Sequence, residues 1–126
     1  MNIDCVKDLL LTISALSEEK LKQNDSFPLI TADQICNKLS DKEYTFAEIA
    51  RYIDELNSEG LINAQIVNSD GRPVGFVVSK LTKEGKAHLQ NLCQPEFYQK
   101  LKRWIKEHDV SVSVSLGDIL KISAKL

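Results

Sequence analysis

The apolar residues Ile3, Val6, Leu9, Leu10, Ile13 and Leu16 recur at steps of three and four, which predicts a first helix over residues 3–16. Residues 17–26 are polar and break that stripe. Pro28 disfavours helix at Phe27, so Phe27-Pro28-Leu29-Ile30 reads as a loop or short extended segment. Thr31 with Gln34 three residues on has the form of a capping box, and Ile35 and Leu39 give a short second helix its apolar face. Thr45 and Glu48 repeat the device. They open a longer third helix with the stripe Phe46, Ile49, Ala50, Ile53 and Leu56, which Gly60 is placed to end in the left-handed conformation.

Periodicity then changes. Residues 61–67 and 74–81 are rich in branched side chains and flank Ser69-Asp70-Gly71-Arg72-Pro73, so they predict a β-hairpin. Thr82 caps a fourth helix reaching Leu92. Pro95 fits the first position of a fifth, with Phe97, Leu101, Trp104 and Ile105 inward, and Ser115 with Asp118 starts a last helix. Three helices, a hairpin and further helix predict a mainly α chain with a small β-hairpin: a winged helix-turn-helix core over residues 1–92 with a C-terminal helical extension over 93–126. The third helix takes the recognition position and the hairpin tip at Arg72 is the wing.

Tyr44-Thr45-Phe46-Ala47-Glu48-Ile49, Glu59-Gly60-Leu61-Ile62 and Leu81-Thr82-Lys83-Glu84-Gly85 resemble an uncharacterised bacterial family of short hypothetical proteins common in prophages and plasmids. Trp104, Ser113-Val114-Ser115-Leu116 and Ile119-Leu120 are similar too. The resemblance implies a winged-helix-like fold and a mobile-element origin, with no defined activity. The sequence departs from that family's pattern at Lys83 and Lys86, where an aromatic residue and a histidine are common.

The 126 residues, 43% hydrophobic and 27% charged, suit one ordinary globular domain. No apolar run is long enough to span a bilayer and no signal-peptide pattern opens the chain, so a cytoplasmic protein without membrane association is expected. Cys5, Cys36 and Cys93 are scattered and predict reduced, partly buried thiols. The net charge of -2 is uneven: residues 1–63 hold six Lys/Arg against twelve Asp/Glu, and residues 64–126 hold ten against six. That asymmetry fits a polyanion-binding face, or attraction between halves or copies of the chain.

Candidate chemistry is sparse. His88 and His108 are the only histidines, and His88 lies five residues from Cys93, which does not put the two on one helical face. Solvent-facing or satisfied histidines are expected, with no metal or other cofactor. Glu55 and Glu59 share a face at i,i+4, but such a charge run on an amphipathic helix reads as solvated surface. The glycines match neither the dinucleotide fingerprint nor a phosphate-binding loop. A binding module without catalytic residues is therefore expected.

Two partners fit. Duplex DNA would engage Arg72, Lys80, Lys83 and Lys86, with Arg51 and Asn57 as base readers, although the third helix carries Arg51 against Glu48, Asp54, Glu55 and Glu59. The alternative is a protein-interaction adaptor, a host-takeover or anti-defence factor, whose acidic third helix engages a basic host or phage protein. The fifth helix sets Lys100, Lys102, Arg103 and Lys106 opposite its apolar stripe, as a phosphate-tracking or membrane-surface helix does, but Glu96 and Glu107 on the same helix favour an ordinary docked helix with a basic solvated face. A homodimer through Phe97, Leu101, Trp104, Leu116 and Leu120 is expected from the apolar surplus of the C-terminal helices.

Overall fold

Asn2 caps the first helix, α1 (Ile3–Lys22), by accepting a hydrogen bond from the Cys5 N–H at 3.3 Å. The computed structural model describes residues 1–23, 29–109 and 113–126. The expected stripe, Ile3 to Leu16, is buried. The expected break at residue 17 is wrong: the helix runs on to Lys22 because Glu18, Glu19, Lys20, Leu21 and Lys22 are good helix formers, and Lys20 and Lys22 complement the negative C-terminal end. Polarity ended the core contact, not the helix.

Phe27 and Pro28 of the expected loop lie outside the described residues. Ile30 and Thr31 form β1 (Ile30–Thr31), and Thr31 also begins α2 (Ala32–Lys38) through a reciprocal capping box with Gln34. Thr45 caps α3 (Phe46–Ser58). Gly60, at φ 77°, follows it, and Leu61 N–H to Leu56 C=O (2.9 Å) with Gly60 N–H to Asn57 C=O (3.1 Å) completes a Schellman end.

β2 (Ile62–Ser69) and β3 (Arg72–Leu81) are joined by Asp70 and Gly71, both at positive φ, so the turn is two residues long and tighter than the five-residue segment expected. The hairpin is also not alone. Ile30 pairs with Val78 and Thr31 with Val77, giving a three-stranded antiparallel sheet in the order β1-β3-β2. Register shifts fall at Asn63/Ala64 and Val67/Asn68, the second beside Pro73, which has no N–H to give a ladder.

α4 (Lys83–Leu92), α5 (Pro95–His108) and α6 (Leu116–Ser123) follow, capped by Thr82, opened by Pro95 and capped by a Ser115–Asp118 box respectively. Where α3, the hairpin and α4 meet, two short segments close on each other. Thr82 N–H donates to Leu61 C=O (3.0 Å), the Thr82 hydroxyl donates to Gly60 C=O (2.7 Å), and the same hydroxyl accepts from Gly85 N–H (3.0 Å). A Cβ on Gly85 would stand 2.0 Å from the Leu61 carbonyl oxygen, so only glycine lets α4 approach this closely.

One core collects α1, the inner sheet face (Ile30, Ile62, Phe76, Val78), α3 and the buried sides of α4 to α6. Ile53 is 0% exposed within it, so Ile53→Ala should cost about 2 to 5 kcal/mol in chemical denaturation, and a loss below about 0.5 kcal/mol contradicts the packing. Gly85→Ala, which adds a single methyl, should cost at least about 2 kcal/mol through the clash with Leu61. A neutral result would mean that α4 does not sit against that carbonyl.

Candidate nucleic-acid interface

The outward face of α3 presents Ala47, Arg51, Asp54 and Ser58, one cation and one anion. Arg51 lies along its neighbour: its guanidinium is 4.7 Å from the Tyr52 ring centroid and donates to the Tyr52 hydroxyl at 2.9 Å. That hydroxyl also accepts the Asn2 N–H at 2.8 Å, tying α3 to the start of α1. Tyr52, 1% exposed, was absent from the expected core although it continues the Ile49 stripe at i+3. Phe46, expected inside, stays part-exposed at the helix start and stacks on Phe76 with ring centroids 6.0 Å apart.

Asn57 is structural in its contacts. Its side-chain carbonyl accepts the Ala64 N–H at 3.0 Å, at the irregularity where β2 departs from regular pairing. This contact fixes the side chain against the edge of β2 and leaves its NH2 group unengaged among the described residues. Asn57 borders a depression of about 530 Å³ on the outer sheet face with Asn63, Gln65, Val77 and Ser79.

The expected wing cations are all exposed but do not form one patch. Arg72 pairs with Ser69 at the turn, whereas Lys80 pairs with Asn63 at the other end of the hairpin, with Lys83 and Lys86 just beyond it on α4. Eight residues of strand put roughly 25 Å between the two groups.

The acidic residues of α3 turn partly toward the chain's own C-terminal segment. Glu55 borders a small cleft of about 170 Å³ with Met1, Arg51, Tyr52 and residues 113–115, and one of its oxygens is buried without a hydrogen-bond partner among the described residues. Glu59 reaches toward Gly117, whose Cβ would stand 3.1 Å from its oxygen. In the described part of the alternating segment (residues 113–115), which forms no helix or strand, Val114 is buried; residues 110–112 lie outside the described residues.

Of the five expected dimer residues, Leu101 (0% exposed) and Leu116 (1%) are core of the single chain, which corrects their assignment to an interface. Their apolar surface is spent within the chain, because α5 and α6 pack together and onto the core. Phe97, Trp104 and Leu120 are half-buried against the core. Trp104 stacks on His108 (centroids 4.4 Å), whose Nδ1 lies 2.8 Å from the Trp104 carbonyl.

A polar seam along α1 was not anticipated. The Tyr44 hydroxyl donates to Asp8 at 2.6 Å, the Tyr98 hydroxyl donates to Asp4, and Lys7 lies over the Tyr98 ring at 4.3 Å. Burial, then the neighbouring carboxylates, push both phenols above their ordinary range, so they stay protonated donors. Asp4 and Asp8 stand at i,i+4, a signal that such a seam was available. The thiols differ from the uniform expectation. Cys5 is buried and raised to about 12, chiefly by burial with Glu48 and Asp8 adding to it, Cys36 is intermediate, and Cys93 is exposed at the end of α4. Among the described residues, no group of three or more His, Cys, Asp or Glu side chains could hold a metal ion.

The fold and surface define a mainly helical domain with a small antiparallel sheet and scattered surface cations. Among the described residues, no helix is long and apolar enough to cross a membrane. The model of the family described as Hypothetical protein (DUF2513) matches residues 1–111, and the chain belongs to that family. No curated protein matches it.

His88 is neither solvent-facing nor satisfied: it is 5% exposed on the core side of α4, and its Nε2 has no partner among the described residues. Burial lowers its pKa from the ordinary 6.5. The folded state therefore resists a proton that the unfolded state accepts, and stability should be level above about pH 6.5 and fall as the pH drops below it. Asp109 and Asp118, held below the usual 3.8 by hydrogen bonds to their carboxylates, lose their contributions only in a more acidic window. His88→Leu should flatten the stability curve between about pH 5 and 6.5 in urea titrations, and an unchanged slope there would place the proton elsewhere.

Proposed function

We propose that this chain is a non-enzymatic winged-helix module that binds duplex DNA, with an electrostatic, weakly sequence-dependent mode. The observation that carries the reading is the element order α1-β1-α2-α3-β2-β3 with the sheet order β1-β3-β2. In it a helix pair, α2 and α3, stands beside a hairpin in which Arg72, the first residue of β3, is exposed next to the two-residue turn. The resemblance to prophage and plasmid proteins supports a mobile-element setting and a regulatory role for such binding. Fold alone does not define function, so the surface chemistry has to agree.

Phosphate contacts follow the exposed cations. Arg72 at the tip and Lys80, Lys83 and Lys86 at the hairpin base are separated enough to touch different stretches of backbone. Arg51 and Asn57 are the readers on α3, each already held by one contact within the chain, Arg51 on Tyr52 and Asn57 on the Ala64 N–H. Affinity is modest because Glu48, Asp54 and Glu59 oppose the phosphates beside Arg51. The adaptor reading keeps those same acids as its contact, and tight binding to a basic protein with no binding to DNA would select it.

Fluorescence anisotropy on a random-sequence duplex at about 50 and 200 mM salt tests the proposal, the expected result being binding that weakens steeply with salt. Arg72→Ala and Lys83→Ala should each flatten the salt slope by about one unit, and the double variant by about two, because sites this far apart act independently. Unchanged slopes remove the hairpin from the interface. No binding at either salt removes DNA.

A further inference from the structure

The basic side of α5 meets the start of α1 in an open trough of about 670 Å³, bordered by Asp4, Gln99, Lys102, Arg103, Lys106 and Asp109 over Ile3 and Ile105. Both of its carboxylates are already engaged. Asp4 accepts from the Tyr98 hydroxyl and lies 3.5 Å from Lys102. Asp109 takes the Met1 amino group at 2.8 Å and the Val114 N–H at 2.7 Å, which hold its carboxyl below the usual range. Arg103 and Lys106, by contrast, face no carboxylate at ion-pair distance among the described residues, and neither does Lys100 one turn earlier.

These three cations stand three residues apart on the exposed side of α5, one every ~4.5 Å of helix. Gln99 and Arg103 also border a second depression of about 350 Å³ with Lys100 and the exposed Glu96, so the trough continues across the helix past one carboxylate. At its other end Met1 borders both the trough and the cleft that holds Arg51 of α3. Lys106, Arg103 and Lys100 thus form one strip along α5, and the cleft that Met1 also borders at its end is lined by Glu55 as well as Arg51. An enclosed pocket buries most of a small ligand, whereas an open cationic track fits a chain of regularly spaced anions.

We infer that this strip carries the phosphate backbone of the bound DNA, supplying the positive charge that α3 lacks. The inference rests on the DNA-binding reading and adds the surface that dominates its affinity. Internal neutralisation of Asp4 and Asp109 is the feature that makes the trough attractive to phosphate, since two free carboxylates there would cancel Arg103 and Lys106.

The test is anisotropy of the full chain on the same duplex, comparing wild type with Lys100→Gln/Arg103→Gln/Lys106→Gln. All three side chains are exposed, so the core is untouched, and circular dichroism checks this. The triple variant should bind at least about tenfold more weakly at low salt, with a slope flatter by about two to three units. The single variant Arg103→Gln, expected to flatten it by about one unit, serves if the triple variant unfolds. Lys22→Gln/Lys38→Gln/Lys42→Gln removes equal charge from residues that border neither the trough nor the second depression, and should leave the slope unchanged. Equal losses in both triples would mean a net-charge effect and overturn the inference, as would wild-type binding by the α5 triple. Either result leaves the hairpin account standing, whereas a wild type that binds no duplex overturns both.

Discussion

The meeting of Gly60-Leu61 with Thr82-Gly85 is the contact on which the rest of the molecule depends. Three backbone and hydroxyl hydrogen bonds and one close approach fix the end of α3, the base of the hairpin and the start of α4 at a single point. Each partner is constrained by something local: Gly60 by its positive φ, Thr82 by a hydroxyl that both donates and accepts, Gly85 by the Leu61 carbonyl. With the hairpin base held, its two strands and rigid two-residue turn project Arg72 away from the core. With α4 held, α5 is brought back to the N-terminal end of α1, where its cations line the trough. The Glu-Gly-Leu-Ile and Leu-Thr-Lys-Glu-Gly segments are thus two halves of one joint.

Electrostatics divide the surface in a way the charge totals conceal. The acidic half of the sequence spends part of its charge internally, on Tyr44, Tyr98 and the start of α6, while most cations of the basic half stay exposed. A net charge of -2 therefore coexists with a cationic strip and a cationic hairpin.

Elements set by local chemistry were legible in the sequence. The Thr31–Gln34 and Ser115–Asp118 boxes, Pro95 at the start of α5 and Gly60 at the end of α3 all act within a few residues of themselves. What escaped depends on distant partners. β1 is two residues long and exists only because β3 offers Val77 and Val78, and the last turn of α1 continues without any core contact to announce it. The candidate interface was legible as a set of residues but not as an arrangement. Arg72 and Lys80 are neighbours in sequence and stand at opposite ends of the hairpin; Arg51 and Lys106 are far apart in sequence and share Met1 as a neighbour. Asn57 reads as a base reader by residue type, and the structure adds a contact that sequence does not announce, its carbonyl on the Ala64 N–H.

The claim that ties these observations together is that DNA lies against the hairpin, the outward face of α3 and the α5 strip at once. Amide chemical shifts of the labelled full chain, followed during titration with a short random duplex, test it most directly. The account predicts perturbations at Gly71 and Arg72, at Lys83, at Arg51 and along residues 99–106, with α2 and the last turns of α1 unmoved. Shifts confined to α2 and the end of α1, or no shifts at duplex concentrations that saturate ordinary non-specific binders (about 10⁻⁴ M or above), would contradict it.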